Sequence, residues 1–168
     1  ENFMNIQDLG SIGELMAALA TLLTLGYLAI QLKQNTSALK SQTFQQSSMD
    51  MSLTANSVSS DGELAKIIIK AENGMASLNP DERLRFHFWM LVAVRRFEAI
   101  YIQAVYGSIE KDRIEGVETS ILSLLSNVGN EWWNLTKSAF SSDFIGYADG
   151  KINSGKYKIS VHPGSGAE

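Results

Sequence analysis

The stretch "GELMAALATLLTLGYLAIQLK", residues 13–33, decides how the chain is organised. From Ser11 to Leu32 there are 22 residues and a single charge, Glu14. At about 1.5 Å of rise per residue, such a helix covers the roughly 30 Å of a bilayer's hydrocarbon core. A removable signal would want a basic start, a shorter apolar run and a small-residue cleavage site. Here Glu1, Asp8 and Glu14 lead, and the run passes straight into Gln31, Leu32 and Lys33. An uncleaved transmembrane helix is expected, with a wholly buried helix of a soluble bundle as the alternative that the near-neutral mean hydropathy leaves open. Lys33 and Lys40 follow the span and no Lys or Arg precedes it, which by the positive-inside rule puts the C-terminal bulk in the cytoplasm.

Composition limits what the rest can be. A chain of 168 residues with 45% hydrophobic content suits one modest domain plus an appended element. Its net charge of -4, with acids and bases mixed, offers no basic face for a phosphate backbone, so nucleic acid is not expected as a partner. Without Cys there are no disulfides, thiolate zinc sites, iron–sulfur clusters or thiol nucleophiles. His87 and His162 are the only imidazoles, so a His-rich metal site would need a second chain.

Past the span the chain does not break. Residues 33–59 contain neither Pro nor Gly and are rich in helix formers, so helix 1 is expected over 6–58. Ser59-Ser60-Asp61-Gly62 then punctuates, with Ser60 as the expected cap of a short helix over 63–71 that Asn73-Gly74 ends. Asn79-Pro80-Asp81-Glu82 places a capping Asn, Pro at the first helical position and acids in the first turn, opening a helix to about Tyr106. Further helices are expected over 109–125, 130–139 and 143–148, then a short strand over 157–161 and a loose Gly-rich end. The expected fold is all-α: an N-terminal segment over 1–10, a transmembrane helix over 11–32, its continuation over 33–58, a small helical bundle over 59–153 and a flexible tail over 154–168.

Alternate steps of three and four along helix 1 mark a mostly polar or small seam. It runs Gln7, Gly10, Glu14, Ala17, Thr21, Thr24, Leu28, Gln31, Asn35, Ala38, Gln42, Gln45, Met49 and Ser52. A repeat of 3.5 residues keeps one seam of a left-handed bundle facing its partners. Leu15, Leu19, Leu22, Leu23, Tyr27 and Ile30 then face lipid or neighbouring helices. The seam admits three uses. Small and hydroxyl residues can let helices approach, with Thr21 and Thr24 bonding between them. Several copies can surround water, with Thr21, Thr24 and Gln31 lining a cation pore, Glu14 forming a carboxylate ring and Leu28 an apolar gate. Or the span docks on a larger membrane complex as an accessory subunit, pairing Glu14 with a partner's Arg or Lys. Glu14 also has a plain role at the headgroup boundary, where an acid in a first helical turn suits the macrodipole.

Three stretches carry a family resemblance: "DLGSIGELMAALATLLTLGYLAIQLKQNTSALKSQTFQQ" (8–46), "NPDERLRFHFWMLVAVRRFEAIYIQ" (79–103) and "EWWNLTKSAFSSDF" (131–144). They resemble a group of bacterial, largely marine proteobacterial, membrane proteins of unassigned function with one N-terminal span and a helical region. The resemblance implies a location in the bacterial inner membrane and brings no catalytic motif. It also implies that Met4 is a natural start, with residues 1–3 and the Gly-rich C-terminus as additions.

Helix 3, "RFHFWMLVAVRRFEAIYIQAVY", is apolar nearly all round and reads as the centre of the bundle, while Arg95, Arg96 and Glu98 make it a poor span. Arg95 and Glu98, three apart, are expected to form a partly buried structural ion pair. His87 and Glu98 share a face but stand about 16 Å apart along the axis, too far for one metal. Trp132 and Trp133 point different ways on a helix, one expected in the core and one as a surface anchor. Asp149 to Gly155 has too few acids for a calcium loop. The Asn-x-Ser/Thr matches at Asn35 and Asn134 carry little in a bacterial chain. No phosphate loop, nucleophile elbow or metal-spaced acid pair is present. The chain is therefore expected to be no enzyme and to need no cofactor. It is expected to live in the lipid bilayer, to form a homo-oligomer and to meet other membrane proteins.

Overall fold

The computed structural model describes residues 6–157, and among them every regular element is helical. Residues 1–3, Met4, His162 and most of the expected strand over 157–161 lie outside the described residues, and Tyr157 itself stands in a turn. The elements are α1 (Ile6–Ser59), α2 (Gly62–Ala71), α3 (Pro80–Val105), α4 (Glu115–Ser126), α5 (Asn130–Thr136) and α6 (Ser142–Asn153). Short 3-10 turns lie at Met75–Ser77, Lys111–Ile114 and Lys137–Ala139. An all-α chain with a long apolar N-terminal helix followed by a small bundle is thus what the structure contains.

The chain forms two compact units, Glu1–Gln42 and Thr43–Glu168. The division falls inside α1, sixteen residues before the 58/59 boundary drawn from composition, because the last turns of α1 carry Phe44, Met51 and Val58 to the bundle. In the first unit α1 is the only described element. It is long and apolar enough to be a candidate membrane span. Each of its described side chains up to Gln42 is exposed, including Leu15, Leu22 and Leu23 at 61%, 65% and 75%. None of the residues in its most apolar window is buried.

In the second unit α3 is the centre. Phe86, Met90, Ala93, Val94 and Phe97 follow helical spacing and are fully buried. Around them pack Leu64, Ile67, Ile68 and Ala71 of α2, Ile121, Leu122 and Leu125 of α4, and Phe144 and Ala148 of α6. The C-terminal part of α1 lies antiparallel to α3. Ser47 Oγ donates to Gln103 Oε1 at 3.0 Å, and further along α1 the Arg96 Nη1 donates to the Asp50 carbonyl at 2.6 Å. One face of α3 stays open: Leu84 and Phe88 are each 55% exposed and Val92 is nearly so, so the helix is not covered all round.

Local chemistry sets the boundaries. The Asn79 side chain accepts from the Glu82 amide and the Glu82 carboxylate accepts from the Asn79 amide, a capping box opening α3. α2 is capped by Asp61, not Ser60. The Asp61 carboxylate accepts from the Glu63 and Leu64 amides, whereas the Ser60 hydroxyl turns back to the Asn56 carbonyl. Gly74, at φ +92, ends the turn after α2 in a conformation that side chains disfavour. α6 runs on to Asn153, five residues past expectation. Both Trp132 and Trp133 are 1% exposed, so neither is a surface anchor. The short α5 is gripped on two sides, and each indole N–H finds an acceptor, His87 Nδ1 at 3.0 Å and Asp149 Oδ1 at 2.8 Å.

Candidate functional site: the polar seam of the first helix

The seam residues of the first unit, Glu14, Ala17, Thr21, Thr24, Leu28, Gln31 and Asn35, are all exposed in the single chain. Their polar groups are treated differently along its length. Thr21 Oγ1 donates to the Ala17 carbonyl at 2.9 Å and Thr24 Oγ1 to the Ala20 carbonyl at 2.8 Å. This back-bonding satisfies each hydroxyl proton within the helix and leaves oxygen lone pairs for a donor outside it. A lone α1 therefore leaves neither threonine with an unmet hydroxyl proton. Gln31 Nε2 donates to Tyr27 Oη at 2.7 Å, which draws Tyr27 from the apolar side into the seam's edge. Glu14 has no hydrogen-bond or ion-pair partner among the described residues.

Geometry limits how such a seam can be used. A 3.5-residue repeat drifts by about 20° per heptad on a straight α-helix, so from Gln7 to Ser52 it turns through roughly 130°. A straight lone helix does not present it as one face. Left-handed supercoiling with partner helices does.

Within the second unit α1 meets the bundle through Ser47, Met51, Thr54 and Val58, spaced four, three and four. Gln45, Met49 and Ser52 of the seam lie on the opposite, exposed face. Two exposed leucines beside the seam escaped the sequence pattern. Leu39, in the first unit, is 63% exposed and Leu53, in the second, 52% exposed. Their signal was a seven-residue step from Leu32 through Leu39 and Gln46 to Leu53, one register beside the polar stripe.

The Arg95 and Glu98 pair forms, with Nη1 to Oε2 at 2.7 Å. It does more than join two residues of one helix. Glu98, 6% exposed, also accepts the Ser141 amide at 2.8 Å and so holds the start of α6, while the Arg95 guanidinium donates to the Ala139 carbonyl and lies 4.5 Å over the Phe140 ring. Burial pushes the Glu98 carboxyl up, but the Ser141 hydrogen bonds and the Arg95 charge outweigh it and hold the group below its ordinary value. A second buried acid, Glu118, takes Tyr157 Oη at 2.9 Å and the Lys151 ammonium. Burial again opposes ionisation, and Lys151 and Tyr157 overcome it. Sequence spacing could not reveal this cluster, because Lys151 stands 33 positions after Glu118. Residues 154–157, expected in the tail, thus include an anchored Tyr157, 3% exposed.

No group of three or more His, Cys, Asp or Glu that could hold a metal occurs among the described residues. No protein-family model, curated protein or solved structure matches the chain. The uncovered seam of α1 is accordingly the candidate site, on its own geometry.

Proposed function

We propose that the protein is a single-span membrane protein that self-associates through the seam of α1 and serves an assembly or interaction role, with its bundle in the cytoplasm. The family resemblance suggests a bacterial inner membrane. One observation carries the reading: where α1 meets the bundle, it is the face opposite the seam that is covered, so Gln45, Met49 and Ser52 remain available along the same 3.5-residue register that holds Ala17, Thr21 and Thr24. Thr oxygens and small side chains suit close helix approach, with each interhelical hydrogen bond contributing about 1 kcal/mol.

The test is the subunit number of the full chain in lipid nanodiscs and mild detergent. Ala17→Leu thickens the seam and should return the assembly to monomers; Leu23→Ala, on the lipid side, should leave it unchanged. A wild-type chain that stays monomeric across concentrations removes self-association, and one that co-purifies stoichiometrically with other membrane proteins makes it an accessory subunit. Glu14, without a partner among the described residues, favours a second reading, a homo-oligomeric cation pore lined by Glu14, Thr21, Thr24 and Gln31. A closed ring of five or more copies with cation flux in liposomes would support it.

A further inference from the structure

Away from α1, the second unit carries a cleft of about 370 Å³ between the start of α3 and α5, lined by Met75, Pro80, Leu84, Trp132 and Leu135, with Arg83 and His87 among its walls. Its collar is unusually apolar for a surface. Leu84 is 55% exposed and Leu135 71% exposed, and outside the lining the Phe88 ring meets His87 edge-on at 5.3 Å. Apolar clefts of this size with a few convergent polar groups are the usual form of a small-ligand site.

Of the polar groups, Thr136 donates its hydroxyl proton to the Trp132 carbonyl at 2.7 Å, and the other two are donors. His87 Nδ1 accepts the Trp132 indole N–H, which in the neutral ring leaves the imidazole proton on Nε2, at the far side from Trp132. His87 therefore has a fixed donor to offer. Arg83 stands one turn earlier on the same face of α3, four residues away, and uses one guanidinium nitrogen for the Leu78 carbonyl at 3.3 Å. No lining residue is acidic. Glu131, beside Met75 at this edge, accepts the Met75 amide at 2.8 Å.

We propose that this cleft binds a small carboxylate with an apolar body, the body lying against Leu84, Trp132 and Leu135 and the carboxylate meeting Arg83 and His87 Nε2. A cation finds no counter-charge there, and a neutral amphiphile leaves two donors without a matching acceptor pair. Charge-assisted hydrogen bonds give the anion its advantage.

The experiment uses the full chain in lipid nanodiscs and follows the Trp132 indole N–H resonance, whose acceptor is the proposed ligand-binding histidine. Three probes share one apolar body: octanoate, octanol and octylammonium. Octanoate should shift the resonance saturably and bind about tenfold tighter than octanol, with octylammonium weakest. Arg83→Gln, at an exposed position with little to lose in folding, should erase the preference for octanoate while leaving octanol binding in place. The proposal is overturned by no saturable shift with octanoate, by equal binding of octanoate and octanol, by preference for octylammonium, or by an octanoate preference that survives Arg83→Gln. A shift of the same resonance with protein concentration alone would assign the cleft to a second copy and overturn it as well.

Discussion

Glu98 and Glu118 are charged groups at positions only 6% and 7% exposed, and each is held by a cation and by a further donor from a distant part of the chain. Both carboxyls lie below their ordinary value of 4.5 in the folded chain. The unfolded chain then takes up protons more readily than the folded one. Their stabilisation is complete above pH 4.5 and is lost as pH falls through the lower folded values. Thermal unfolding in nanodiscs, followed by the fluorescence of Trp89, Trp132 and Trp133, should show the bundle melting at lower temperature as pH drops below about 4.5. Glu98→Gln should cost about 1–3 kcal/mol at pH 7, since it leaves Arg95 without a counter-charge, and should flatten the acid limb of that profile. An unchanged acid limb would show that Glu98 is not among the groups that set it. Gly129 is a second sensitive residue. A Cβ there would stand 2.5 Å from Met90 Cε and 3.0 Å from the Leu124 carbonyl oxygen. Methionine can move but the backbone cannot, so Gly129→Ala should destabilise by about 1–3 kcal/mol in the same melt.

At the scale of elements, helix starts distinguish a side chain that caps from one that merely stands nearby. Asp61→Ala removes the acceptor for two amides of α2 and an ion pair to Arg85, and should lower the melting temperature of the bundle, while Ser60→Ala should leave it where it was. Equal effects would mean that both residues cap. The pair also shows what was legible in the sequence. The helix-starting context at 59–62 was readable, and so was the whole opening of α3, because Asn, Pro and two acids act on backbone groups within four residues. Which of two adjacent capping residues bends to the helix was not, because it depends on how α1 ends at Ser59. The limit recurs wherever a contact is distant in sequence. Arg95 and Glu98, one helical turn apart, were predicted as a pair; Glu98 with Ser141, and Glu118 with Lys151 and Tyr157, were not. For Trp132 and Trp133 the angle between adjacent side chains was correctly anticipated. That two neighbours would grip opposite sides of so short a helix was a property of the surrounding packing.

At the scale of the whole molecule, the apolar run and the polar seam follow from one helix obeying two periods, and in the proposed membrane setting they ask different things of their surroundings. There the run needs only lipid. The seam, drifting by roughly 130° between Gln7 and Ser52, needs partner helices to become a single line. If copies of one topology associate in parallel with cyclic symmetry, every seam residue meets its own counterpart, so Glu14 faces Glu14. In a dry seam those carboxylates repel, and Glu14→Gln should tighten association about fivefold, with no ion flux in either form. In a water-filled seam the charge ring concentrates cations, and the same change should leave the subunit number intact while reducing cation flux and selectivity. Sedimentation equilibrium in detergent and flux from cation-loaded liposomes measure the two outcomes on the same protein. Should Glu14→Gln alter neither, Glu14, two turns inside α1, takes no part in association or conduction, and the converging seam is left to Ala17, Thr21 and Thr24, whose test is bulk rather than charge.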